Sequence, residues 1–109
     1  MSSFTLTETA RHYRGPGDVW VDLDVTGPDS YETDGSLADI EAATDPAVAT
    51  ASDAVFTTQS EAYDFIFIPD KDAVASAAKI IVIDRTTGLQ EVATTNLETT
   101  TFKMSAKVG

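Results

Sequence analysis

The sequence predicts a mainly β protein: a single-domain β-sandwich or flattened β-barrel of six or seven short strands with one short helix. Three observations carry this. Val19, Val21, Leu23 and Val25 recur at every second position of GDVWVDLDVTG, the period of a strand with one buried face. Phe102, Met104, Ala106 and Val108 repeat that period near the C-terminus. Between the two, short β-branched and aromatic runs are divided by Pro and Gly, and one stretch alone reads as helix.

The elements follow in order. SSFTLTET alternates Phe4 and Leu6 with Ser3, Thr5 and Thr7, which suits a short strand or an arm that adds to a sheet edge. Residues 1–16 are read as that extended N-terminal arm of a domain spanning 1–109. RGPG at 14–17 breaks it, because proline lacks an amide donor and glycine favours a turn. A strand from Asp18 to Thr26 follows and ends at GPDS. Ser36 with Asp39 three residues on resembles a capping box, placing a short helix over Leu37 to Ala43 that Asp45 and Pro46 stop. The Ala, Ser and Thr-rich stretch beyond reads as a loop, then a strand near Ala54 to Thr58.

The second half is more sharply patterned. In AYDFIFIP, Tyr63, Phe65 and Phe67 share one face and Asp64, Ile66 and Ile68 the other, so this strand is expected to be buried on both sides. KIIVIDRTTGLQEVAT reads as a hairpin: Ile80 to Ile83, a turn opened by Asp84, Gly88 at positive φ, and a return strand through Val92. TTFKMSAKVG supplies the last strand.

Length and composition bound the function. A chain of 109 residues, 42% hydrophobic, fits one domain with one core. Its net charge of -11 argues against nucleic-acid ligands and anionic membranes, both of which need clustered Lys and Arg. The acid is concentrated: residues 18–72 hold fourteen acidic groups and one base, Lys71, while each end carries a net charge of +1. One acidic face is therefore expected, either a solvated surface or an electrostatic contact. With no cysteine, disulfides, thiolate metal sites and a cysteine nucleophile are excluded. MSSFTLTETARHYR lacks the basic start and apolar run of a secretory signal, and no stretch approaches the roughly 20 apolar residues of a membrane span, so a soluble protein made in a cytoplasm is expected.

Little points to catalysis. His12, the single histidine, lies beside the flexible RGPG stretch, whereas a catalytic triad needs a rigidly held base. Carboxylate pairs are abundant by chance in so acidic a chain. The DKD at 70–72 and the Asp22 and Asp24 pair offer alternating oxygen ligands, but DKDAVASAAKII lacks the glycine and remaining ligands of an EF-hand and reads as a solvated turn. No enzyme activity, cofactor or metal site is expected.

Trp20 is the sharper clue, because it shares its strand face with Asp18, Asp22 and Asp24. Either a loop of the same chain covers it, residues 45–60 being the candidate, or it meets another chain, where tryptophan is a favoured contact residue. Ringed by carboxylates, such a contact would favour a basic partner.

YDFIFIPD, then KIIVID leading through a Gly turn to GLQEVATTNLETTTFKMSAKVG, resembles the small structural proteins that decorate or cement tailed-phage heads. The matching positions are Gly88, Glu91, Val92, Asn96, Leu97, Val108 and Gly109, with the Thr-rich opening, the strand ending DVTG, and SYETDGSL. Asp34 stands where that family often has the first of two glycines. The likeness covers about two thirds of the chain and is weakest between residues 40 and 60. It implies a β-rich virion protein, made in the host cytoplasm, that binds the capsid's outer surface, with the major capsid protein and itself, as a homotrimer, for partners. The candidate contacts are Phe4, Leu6, Arg11, Arg14 and Trp20. The competing reading is a carbohydrate- or host-surface-binding β-module of a virion, with Trp20 as the sugar platform; a small hydrolase lacks a site.

Overall fold

The computed structural model describes residues 3–58, 60, 62–91 and 93–109. It is mainly β, with seven strands in two antiparallel sheets and one short helix. The large sheet has the order β1-β2-β7-β4, formed by Thr5–Gly15, Asp18–Thr26, Thr101–Val108 and Ala51–Phe56. The small sheet has the order β3-β6-β5, formed by Ser36–Leu37, Lys79–Asp84 and Tyr63–Ile68.

The core lies between the sheets because the alternating residues face inward in register. Val25 sits beside Phe102, Leu23 beside Met104 and Val21 beside Ala106, all buried. From the small sheet Ile80 and Val82 meet them, fully buried. Phe65 of β5 stacks on Phe102 of β7, ring centroids 3.9 Å apart, and Phe4 meets Phe102 edge-on, geometries that add to plain area burial. Tyr31, 1% exposed, accepts the Val82 N–H at 3.1 Å and donates to Gln90 Oε1 at 2.8 Å. Burial pushes its hydroxyl pKa up. At Gly27 a Cβ would overlap the Leu97 carbonyl, so the chain crossing there admits only glycine.

Several expectations change. Of the two readings of the opening segment, strand or arm on a sheet edge, the strand is the one seen: Thr5–Gly15 is an eleven-residue strand laddered to β2, with a bulge at Thr9 that reverses which side chains face the core. The helix α1 spans only Ile40–Ala43. Its cap is Asp39, which accepts the Ala42 N–H at 3.0 Å, while Ser36 and Leu37 are strand. The strand expected at 54–58 is β4, three residues earlier at its start. β5 is half-buried on one face and exposed on the other, because the fold has two layers and no third covers Ile66 and Ile68, 45% and 38% exposed. Gly88 does adopt positive φ, and Asp84 opens its turn by accepting the Thr86 N–H. The return strand reduces to a bridge between Ile83 and Gln90; Val92 lies outside the described residues. Asp34, in the place of a glycine, has φ of 68°.

Candidate functional site

The first hairpin extends past the rest of the large sheet. β7 ends at Val108, opposite Val19, so Tyr13 to Asp18 have no strand on that side, and residues 12–17 are all exposed. Pro16 followed by Gly17 at φ 73° makes the turn, the pairing of residues that a type II turn asks for. No atom approaches a Cβ at Gly17; backbone conformation, not space, requires glycine there.

Side chains near the tip hold one another. The Arg14 guanidinium lies over the Trp20 ring, 5.5 Å from its centroid, a cation–π contact. Trp20 Nε1–H donates to Asp18 Oδ1 at 2.8 Å. His12 Nε2 is 2.9 Å from Asp22 Oδ2, and that bond above all holds the Asp22 carboxyl below its ordinary value. Tyr13, on the opposite face of the hairpin, is 72% exposed.

This arrangement explains a tryptophan among aspartates. The carboxylates of β2 meet polar and cationic partners on the flanking strands: Asp22 is bonded to His12, and Asp24 pairs with Lys103 at 3.6 Å, while Lys107 stands opposite both Trp20 and Asp53. The face expected to be acidic is thus close to balanced. The unbalanced acid lies instead in the connection from β2 to β4, where residues 27–50 hold six carboxylates and no Lys or Arg.

Trp20 is half-buried, with Arg14 over its ring, and the turn at Asp45 and Pro46 lies on the other face of the sheet. There Glu8 and Arg11 pair at 2.9 Å. Glu8 accepts the Asp45 N–H at 3.0 Å, and Arg11 donates to the Pro46 carbonyl at 2.8 Å. The Arg11 hydrogen bond, chiefly, holds the Glu8 carboxyl below its usual range.

Of the five expected contact residues, the structure therefore brings Arg14 and Trp20 together at the tip and places the other three within the molecule. Phe4 is 4% exposed in the core. Leu6 packs against that core. Arg11 is engaged in the clamp just described, its side chain 14% exposed. Tyr13 was not among the expected contacts, yet it stands exposed on this hairpin, an aromatic between His12 and Arg14 just before the Pro-Gly turn.

One surface groove, about 490 Å³, opens at the far end of the large sheet among Thr26, Thr58 and Thr101. Its titratable groups are Asp24 and Lys103, each more than half exposed. Among the described residues no three His, Asp or Glu side chains converge to hold a metal ion, and no helix is long and apolar enough to cross a membrane.

No protein family, curated protein or solved structure matches this chain.

Proposed function

We propose that this chain is a structural binding module without catalysis, and, on the resemblance of its patterned segments, that it decorates the outer surface of a tailed-phage head by gripping the major capsid protein. The observation that carries the binding role is the first hairpin: a turn projecting beyond its sheet, with Tyr13 exposed and Arg14 and Trp20 stacked. Tyrosine, tryptophan and arginine dominate contact energetics because they bury large areas at small entropic loss. The two-strand ladder beneath holds them in place, which limits the ordering cost of binding. Many copies on one shell then turn a modest contact into lasting attachment.

The competing sugar-platform reading has less support, since Arg14 occupies a face of the indole that a sugar ring would need. The test is co-sedimentation of the purified protein with heads that lack it. The wild type is expected in the pellet, and the double variant Tyr13→Ser with Arg14→Glu is expected to lose roughly tenfold or more in apparent affinity. Absence of the wild type from the pellet at every ionic strength tried would overturn the proposal.

A further inference from the structure

The two flanks of the sandwich end differently, and one of them is unfinished. At the β1 and β3 flank the Phe4 N–H donates to the Leu37 carbonyl at 2.9 Å, and α1 with the Asp45–Pro46 turn lies over the rest. At the other flank β4 and β5 approach without a ladder. Among the described residues, backbone hydrogen bonds close this flank below, where the Ala51 N–H donates to Ala73 O and the Ala75 N–H to Ala49 O. Within the ladder with β6, Arg85 N–H donates to Ala62 O at 3.0 Å, so the hydrogen-bonded pairs are Asp64 with Ile83, Ile66 with Ile81 and Ile68 with Lys79. The N–H and C=O groups of Phe65 and Phe67 consequently point outward along the open edge.

Apolar exposure is concentrated on the same flank. Six large hydrophobic side chains stand out from the surface among the described residues, and four of them, Val55, Ile66, Ile68 and Val74, belong to β4, β5 or the segment after β5. β5 carries one charged side chain, Asp64, which accepts Arg85 Nε–H of its own sheet at 2.8 Å, and no lysine, internal proline or bulge interrupts it.

From this we infer that the open flank is the seat of a second copy of the same chain, joined through antiparallel pairing of β5 with β5 about a two-fold axis at Ile66. The inference goes beyond the proposed function and stands apart from it, because it uses neither the hairpin nor a capsid. The pattern of β5 and β6 is self-complementary in that register. Phe65 of each copy exchanges backbone hydrogen bonds with Phe67 of the other. On the outer face Ile81, Ile66 and their equivalents form one row of four isoleucines. Asp64 of one copy falls opposite Ile68 of the other, one strand from that copy's Lys79. That places the carboxylate, which holds Arg85 of its own chain through Oδ1, and the ammonium on strands about 10 Å apart, a gap their two side chains span. Such an interface is isologous and closed, leaving no exposed β5 edge. Because each copy carries a net charge of -11, added salt should tighten the pairing by screening the overall repulsion.

The experiment is sedimentation velocity on the full chain across a range from about 10 µM to 1 mM at low and high salt. A concentration-dependent monomer–dimer equilibrium that tightens with salt is expected. Ile66→Lys, which sets two ammonium groups together at the axis, should weaken the dimer roughly a hundredfold while leaving the melting temperature of the monomer unchanged. Asp64→Lys and Lys79→Glu alone should each weaken it roughly tenfold, and the double variant D64K/K79E should recover most of the loss. A wild type that stays monomeric throughout, a trimer such as the phage resemblance implies, or a dimer indifferent to Ile66→Lys would each overturn the inference.

Discussion

The two flanks are built from similar strands, yet one is closed by its own chain and the other is left to another molecule. The closed flank has three fastenings: Phe4 bonded to Leu37 and inserted against Phe102, helix α1 with Ile40 fully buried, and the clamp in which Glu8 and Arg11 hold Asp45 and Pro46. The open flank offers backbone donors and acceptors on Phe65 and Phe67 beside exposed isoleucine. Solvent exposure of an apolar side chain on a sheet edge favours association, whereas a satisfied, covered edge favours solubility. The difference teaches that stability and association are assigned to separate sides of one small domain.

Substitutions should separate the sides, beginning with the largest effect. Phe4→Ala removes a buried ring and leaves a cavity, and should destabilise the fold by about 3–4 kcal/mol in denaturant unfolding. Arg11→Ala removes a charge-assisted hydrogen bond to Pro46 and leaves the inward Glu8 carboxylate less well paired, an effect of about 1–2 kcal/mol by the same measurement. On the open flank Ile68→Thr should change the stability of the dilute protein by only about 0.5 kcal/mol, because the side chain is already partly in water. A loss on the open flank equal to that of Phe4→Ala would erase the distinction.

A pH series sharpens the comparison without altering the core. The Glu8 carboxyl is depressed below 4.5, first by the hydrogen bond from Arg11. A depressed folded value means that the clamp contributes fully above the unfolded value and that its contribution is lost as pH falls through the lower, folded one. Melting temperature recorded downward from neutral pH should therefore show wild type more stable than Glu8→Gln near neutrality, with the gap closing below about pH 4.5. A gap that persists in acid would mean that Glu8 acts through packing.

Much of the frame was legible in the sequence, because the period of two in β2 and β7 survives in the buried faces that those strands present. The Asp18–Thr26 and Thr101–Val108 elements needed nothing beyond alternation. What was not legible depends on neighbours. The DFIFI run looks the same whether one face or two is covered, and only the number of layers packed on its sheet decides. β1 was read as a short strand or an arm, and its full length was not legible because its alternation fails at Thr9, where a bulge shifts the face, so that Arg11 turns inward and His12 outward. Charge misled for a similar reason: the aspartates of β2 read as an acidic face until Lys103, Lys107, His12 and Arg14 are placed beside them by strands distant in sequence. Trp20 was rightly singled out as unusual, although neither loop cover nor naked exposure describes an indole stacked under Arg14 and bonded to Asp18.

Amide hydrogen exchange at individual residues tests the contrast between the flanks most directly. In dilute solution the Phe65 and Phe67 amides should exchange rapidly while the Phe4 amide, bonded to Leu37, stays protected, and at high concentration protection should spread to Phe65 and Phe67. Phe65 and Phe67 amides as slow as that of Phe4 in the dilute sample would contradict the account, since the flank would then be closed already.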